Sequence, residues 1–320
     1  MSSFDITIIG DTNVDLLLGG LPEDLPPERE LAVEQMAVTL GGSAAITAHN
    51  MAALGARVGL ITALPEDLFG AFCMEQLHAA GVDLAQRVLS RESTGVTVLL
   101  QHTAFRRAFT YPGSAGKLRL ADLDVSYLSR SRHFHLSSFF LQRELRDDVP
   151  RLFATLKQAG LTISLDTNDD PWDAWSGPIF ESLRYVDILM PNEREACRLA
   201  GVTDIALAID ILRRAVPTLV VKRAAQGAVV LHGDERLALP AIPVTPRDAV
   251  GAGDSFNAGF LYGYLNRQPL ARCLELGNLA GAYSTTQAGG TAAFRNRAGR
   301  QSFFAANAQD SRLLAQQDPA

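Results

Sequence analysis

Long apolar runs, a cysteine framework and blocks of like charge are all missing from this chain, and each absence excludes something. Three cysteines in 320 residues, Cys73, Cys197 and Cys273, are odd in number and widely separated. They suggest neither a disulfide framework nor a zinc site, and they fit a reducing cytoplasm. No stretch approaches the roughly 18 uninterrupted apolar residues of a membrane span, and "MSSFDITIIGDTNVD" lacks the basic and apolar regions of an export signal. The 29 basic and 35 acidic residues, net charge −6, are scattered, which argues against a nucleic-acid or anionic-membrane partner. No internal repeat or low-complexity segment interrupts the chain. With 47% hydrophobic residues it can bury a large core, and small molecules are the expected partners.

Short apolar runs are plentiful. "ITIIG", "RVGLIT", "HFHLSS", "LTISLD", "VDILMP", "LVVKR" and "GAVVLH" read as strands, several of them separated by amphipathic stretches such as "DVPRLFATLKQAG". Strand, helix and strand in repetition imply right-handed crossovers, and so an α/β fold: a three-layer α/β/α sandwich around a mainly parallel sheet. Residues of about 14–40 and 94–111 break the alternation with period-two strands and no helix between them. They are expected to form a small β-sheet lid over the carboxyl ends of the main strands, where open α/β sheets bind ligands. One domain spans 1–308, and the polar segment 309–320 reads as a C-terminal tail.

The most informative stretch is "DAVGAGDSFNAGF", Asp248–Phe260. Its glycines permit a tight turn, and an apolar-periodic helix is expected from Asp254 to about Leu265. The amides of Gly251, Ala252 and Gly253 would then converge at a positive helix N-terminus and form an anion site. Taken alone, the same residues also describe an ordinary glycine loop with Asp254 as helix cap. The stretch resembles the C-terminal signature of the ribokinase-like (PfkB-type) carbohydrate kinases, and the resemblance runs from about Ile6 to Ala293. It implies a ribokinase-like fold in which Asp254 takes the proton of a substrate hydroxyl attacking the γ-phosphate of ATP. The three amides would stabilise the transferring phosphoryl group.

Further motifs support the resemblance. "GGSAAITAHNMAALG" from Gly41 is similar to the family's N-terminal signature, whose double glycine, here Gly41 and Gly42, lets a sugar lie against the backbone. Where the family often has Asn, this chain has Ile46, which leaves the substrate open. In "IGDTNVDLLL", Asn13 and Asp15 match positions that contact substrate hydroxyls; a turn-forming pair is the alternative. "PNEREA" places Asn192 and Glu195 three apart, a capping-box pattern. The resemblance assigns them to Mg²⁺, through water. After "TLVVK", Gly227 matches the closing glycine of a nucleotide-binding turn and Ala224 stands where Gly is usual. Lys222 either reaches phosphate or is a solvated strand-end lysine.

Asn278 matches a nucleotide contact, while Asp248 and the Gly289–Ala293 loop match the surroundings of a monovalent-cation site, so K⁺ joins ATP and Mg²⁺ among the implied cofactors. Asp166 and Asn168 read as polar scaffold at the site edge. His49 either presents a polar group to the double-glycine region or has a surface or packing role, His133 and His135 read as packing residues, and Arg107 either faces an acidic substrate or lies on a solvated strand face. The resemblance thus implies an ATP-dependent kinase acting on the primary hydroxyl of a sugar or sugar acid, in the cytoplasm, with a homodimer formed through the lid as in relatives. A nucleoside kinase of the same fold and a catalytically silent sugar sensor are the competing readings.

Overall fold

A computed structural model describes residues 3–22, 26–102 and 106–308. The expected tail, 309–320, lies outside them, as do 23–25 and 103–105 of the lid segments. Twelve strands are present among the described residues: β1 Ile6–Ile9, β2 Asn13–Gly19, β3 Gln35–Gly41, β4 Val58–Ile61, β5 Gly95–Gln101, β6 Arg106–Tyr111, β7 His133–Ser137, β8 Thr162–Asp166, β9 Ile188–Leu189, β10 Thr218–Lys222, β11 Ala228–His232 and β12 Glu235–Leu239.

Eight strands form the main sheet in the order β12-β11-β10-β9-β8-β7-β1-β4. From β4 to β10 every pairing is parallel. These strands are almost wholly buried because helices cover both faces, and this explains why they read as continuous apolar runs rather than as alternating ones. At the other edge β10, β11 and β12 are antiparallel. The strand β12 was not anticipated. Its residues are mostly exposed, so it lacks an apolar run; the signal is the short link to β11 through Gly233, whose φ is +57°.

The lid is the second sheet, ordered β3-β2-β5-β6, with β2 and β5 parallel and the outer pairs antiparallel. Register places Asp15 opposite both Thr39 and Thr97, and Leu17 opposite both Ala37 and Leu99, so one face of the sheet carries all six. Leu17 and Leu99 pack on Val250, which seats that face on the body of the protein. Met36 and Phe109 are exposed on the other face. Among the described residues no helix is long and apolar enough to cross a membrane.

Candidate active site

Under the lid lies a cavity of about 250 Å³, walled by lid residues Thr97, Leu99, Ala108 and Thr110 and floored by Asp15, Gly42 and Asp254. The two adjacent glycines make its floor. Gly42 has φ +89° and precedes the helix Ser43–Leu54; a Cβ on it would stand 2.6 Å from the Asp11 carbonyl oxygen and 2.9 Å from Asn13 Oδ1. A Cβ on Gly41 would overlap the Asp15 carboxylate. Both positions therefore need glycine for side-chain clearance, and Gly42 also needs it for its backbone angle.

Asn13 and Asp15 come together as expected from period two. Asn13 donates through Nδ2 to Thr97 Oγ1 at 3.0 Å and to Asp15 Oδ1 at 3.4 Å. Asp11 was not anticipated. Its carboxylate accepts from the Ser43 and Ala44 amides at 3.1 and 3.3 Å and so caps a helix whose own cap residue, Gly42, has no side chain. Only the tertiary approach of the segment after β1 to this helix reveals that role. Asn168 is scaffold, donating to the hydroxyls of Ser43 and Ser138.

The expected helix begins two residues earlier than the sequence suggested, spanning Ala252–Leu265 with Gly251, φ +69°, as its cap residue. Asp254 sits inside the first turn and is not the cap. Gly251 needs its left-handed backbone in a tight place, because a Cβ there would stand 2.6 Å from the Gly290 Cα. The three amides are not equivalent: that of Ala252 donates back to Ala249 at 3.3 Å. Gly251 and Gly253 belong to the open first turn, whose N–H groups have no intrahelical acceptor.

Part of Asp254 faces the cavity, and the surrounding walls dehydrate it. Burial, followed by repulsion from Asp166, raises its carboxyl to about 7; Lys222 opposes this, Asp11 adds to it, and the Ser43 hydroxyl opposes it. Such a carboxylate is poised to take up a proton near neutrality.

Lys222 is not a solvated strand end. Its ammonium lies 2.8 Å from Asp166 Oδ2 and 3.4 Å from Asn257 Oδ1, close to Gly253. Asn257 also donates to Asp166. Burial works against both charges, yet Lys222 holds Asp166 below the usual carboxylate range, and Asp166 and Glu195 hold Lys222 above the usual range for an ammonium.

On the far side of the same helix N-terminus is a second cleft of about 530 Å³. Lys222 and Gly253 line its inner end, and Gly227, Ile242, Val244 and Phe256 are among its largely apolar walls. It suits the flat apolar face of a nucleobase. Gly227 has φ +90°, and a Cβ on it would overlap the Leu239 carbonyl. Ala224, despite its Cβ, keeps a left-handed backbone at φ +48°, so the turn follows a glycine-like path. Asn278 reaches this cleft, but its amide donates to the carbonyls of Pro240 at 3.0 Å and Leu239 at 3.3 Å and so holds the wall in place.

Asn192 and Glu195 form a complete capping box: Glu195 N donates to Asn192 Oδ1 and Asn192 N to Glu195 Oε2, both at 2.9 Å, while Asn192 Nδ2 meets Glu195 Oε1 at 2.5 Å. Burial and the nearby Asp166 push the Glu195 carboxyl up to about 7. No cluster of three or more metal-ligating side chains exists among the described residues. With both Glu195 oxygens engaged, the pair fits a hydrated Mg²⁺ brought by a triphosphate and does not form a direct cage.

Asp248 accepts from Gln101 Nε2 and Val250 N, both at 3.0 Å, and from Gly289 N at 2.8 Å. This is the coordination of a strut. Arg107 is exposed on the lid. His49, His133 and His135 are buried, and burial lowers them to about 4, about 3 and about 4. They are neutral packing groups, and His133 and His135 share the Ser164 hydroxyl.

Comparison with known proteins finds kinases among those similar to this chain. The chain is 28% identical over 281 residues to the cytidine kinase of Thermococcus kodakarensis, covering 85% of this chain and 93% of that protein. It is 30% identical over 283 residues to the ATP-dependent ribose-1-phosphate kinase of Halopiger xanaduensis, covering 88% and 91%. The fold matches a putative ribokinase II from E. coli, solved in complex with ATP and Mg²⁺, with a TM-score of 0.81 at 24% identity, over 95% of this chain and 99% of that one. The family model for pfkB family carbohydrate kinases matches residues 3–297, nearly the whole length over which the two clefts are built, and the chain belongs to that family.

Proposed function

We propose that this kinase transfers the γ-phosphoryl group of ATP to a primary hydroxyl of an uncharged sugar. The observation that carries the reading is the position of one helix N-terminus between two cavities: Gly251 and Asp254 line the cavity under the lid, and Ala252 and Gly253 line the apolar cleft. A triphosphate running inward from that cleft meets the Gly251–Gly253 amides and Lys222. A hydroxyl in the other cavity meets Asp254.

In the reaction the acceptor oxygen bonds to the γ-phosphorus as the bond from that phosphorus to the bridging oxygen of ADP breaks. Asp254 takes the hydroxyl proton and later releases it to solvent. Negative charge on the transferring oxygens is met by the amides at the positive end of the helix and by Lys222. Asn13, Asp15 and the Gly41–Gly42 backbone orient the acceptor, and the lid excludes water. A primary alcohol is preferred because it is the least hindered hydroxyl that can approach both groups. Mg²⁺, when bound, neutralises phosphate charge, and Asn192 and Glu195 would receive its waters. The kinase of the same fold solved with ATP and Mg²⁺ supports both cofactors. Asp248 accepts three N–H groups, and K⁺ is left to the assay described below.

The charge of the cavity narrows the acceptor. Among the described residues its lining contains Asp11, Asp15 and Asp254 and no lysine, arginine or histidine. A carboxylate or phosphate on the acceptor would be buried against like charge without a counterion. This disfavours the sugar acid considered from the sequence. A nucleoside is the second reading. Its sugar carries a primary hydroxyl, the apolar wall of Ile46, Leu99, Ala108 and Leu141 could accept a base, and a relative is named a cytidine kinase.

The deciding experiment measures ATP consumption with Mg²⁺ over pentoses, ketohexoses, sugar acids, sugar phosphates and nucleosides, with and without K⁺. Turnover on neutral sugars is expected. Turnover confined to nucleosides replaces the sugar with the second reading, and turnover on acids or phosphates overturns the charge argument. ATP binding without turnover on any acceptor would favour a sensor.

A further inference from the structure

The geometry points to Gln101, a lid residue outside both cavities, as a positioning residue that couples the lid to the anion-binding turn through Asp248. The inference rests on the assignment of the Gly251–Gly253 amides to the transferring phosphoryl group.

Gln101 ends strand β5, the strand whose Thr97 and Leu99 wall the acceptor cavity. Residues 97, 99 and 101 share one face of the strand. The first two therefore touch the cavity while the third reaches past it to the body of the protein. Its Nε2 donates to Asp248 Oδ1 at 3.0 Å, and a carboxylate offers only acceptors, so the amide nitrogen must be the end that faces it.

Asp248 is 6% exposed and passes this contact on. The same Oδ1 accepts from Val250 N, which shapes the turn into Gly251, while Oδ2 accepts from Gly289 N. The Arg247 and Asp248 amides both donate to the Thr285 carbonyl, at 2.7 and 3.2 Å, so the base of the turn is anchored to the neighbouring helix Leu270–Ser284. Gln101 braces the turn from the lid side, opposite this anchor.

Apolar contacts follow the same route. Leu17 and Leu99 of the lid pack on Val250. A Cβ on Gly289 would stand 2.6 Å from the Thr39 side chain of β3, so the lid lies directly on that loop as well. The apolar contacts hold the lid down without fixing an angle. The Gln101 bond is directional, and it ends on the carboxylate that sets the approach of the chain to Gly251. A lid seated over its acceptor thereby aligns the turn whose amides meet the phosphoryl group, and phosphoryl transfer is favoured when the cavity is closed.

The test compares Gln101→Leu, which keeps size but removes the donor, with Gln101→Lys, which restores a donor, in the full chain. Backbone amide exchange at Val250 and Gly289 is measured alongside steady-state kinetics on an acceptor used by the wild type. The expected result for Gln101→Leu is faster exchange at both amides and a kcat lower by about tenfold, with KM for ATP changed by less than about twofold; Gln101→Lys should recover most of both losses. Unchanged exchange in Gln101→Leu overturns the coupling. So does a kcat within about twofold of wild type, a kcat loss that merely matches a loss of folded protein, or no recovery with Lys. If the wild type transfers phosphate to no acceptor, the kinase reading fails on its own, and the exchange comparison alone decides whether Gln101 controls the turn.

Discussion

Lys222 and Asp166 form an ion pair at 2.8 Å with side-chain exposures of 11% and 3%, and Lys222 lines the apolar cleft. The sequence places these residues on separate strands, β10 and β8, but the main sheet brings their carboxyl ends together. The pair matters because Asp254 and Glu195 are close enough for Asp166 to raise both of them, while Lys222 lowers both. Lys222 thus balances three carboxylates and still lies against Gly253 at the helix N-terminus.

Replacing Lys222 with Met should cost about 3 kcal/mol of stability, because Asp166 is left buried without its partner. The double variant with Asp166→Asn should recover much of that stability but little of the activity, since the positive charge beside the phosphates is still missing. Chemical denaturation with parallel assays checks this. Equal recovery of stability and rate would reduce the pair to scaffold.

Asp254→Asn should lower turnover by roughly 10²–10⁴-fold with folding preserved. The wild-type rate should climb with pH and level off above about 7, as the base ionises. Near-normal turnover in the variant would remove Asp254 from the role of base.

Stability should carry the opposite sign. Asp254 and Glu195 are raised to about 7 from ordinary values of 3.8 and 4.5. The native state therefore retains protons that the unfolded chain releases. Their contribution is complete below about 4 and is lost as pH rises through about 7. His133 and His135, lowered by burial, contribute stability that is present above about 6.5 and lost as pH falls through about 4 and about 3. Because these histidines are common to both proteins, the difference in stability between wild type and Asp254→Asn isolates the carboxyl. Wild type should lose stability relative to the variant between pH of about 4 and about 7. Parallel stability curves across that window would contradict the raised carboxyl.

Glu195→Gln keeps an oxygen for the Asn192 backbone amide but sets an NH2 against Asn192 Nδ2, so it should cost about 1 kcal/mol of stability and still fold. The prediction is a rightward shift in the Mg²⁺ dependence of the rate with acceptor KM unaltered. An unchanged Mg²⁺ curve would restrict Glu195 to its capping box.

Ala224→Gly should stabilise the protein by about 0.5–1 kcal/mol, because it removes the steric penalty of a left-handed alanine and returns part of that gain to unfolded-chain entropy. Thermal melts of the two proteins check the sign. A lower melting temperature would mean that the Ala224 methyl makes packing contacts worth more than the strain.

Several features of the site were legible in the sequence because they depend on local geometry. The two glycine turns, the strand-to-helix junctions and the period-two placement of Asn13 and Asp15 follow from backbone freedom and side-chain alternation over a few residues. The parallel core was legible for the same reason, since strands buried on both faces read as unbroken apolar runs. β12 was missed because a mostly exposed edge strand carries no such run.

What tertiary structure alone decided is which distant groups meet. Asp11 caps a helix more than thirty residues away, Lys222 becomes a buried partner of Asp166 instead of a solvated strand end, and Asp248 joins Gln101 to Gly289. Composition cannot show these outcomes, because hydrogen bonding and dehydration depend on neighbours that only the sheet order supplies. The sequence by itself determined the family and the two glycine turns. The folded chain decided the charge of the cavity under the lid, since the absence of a cation among its described walls is a property of which side chains the lid and the sheet ends bring together.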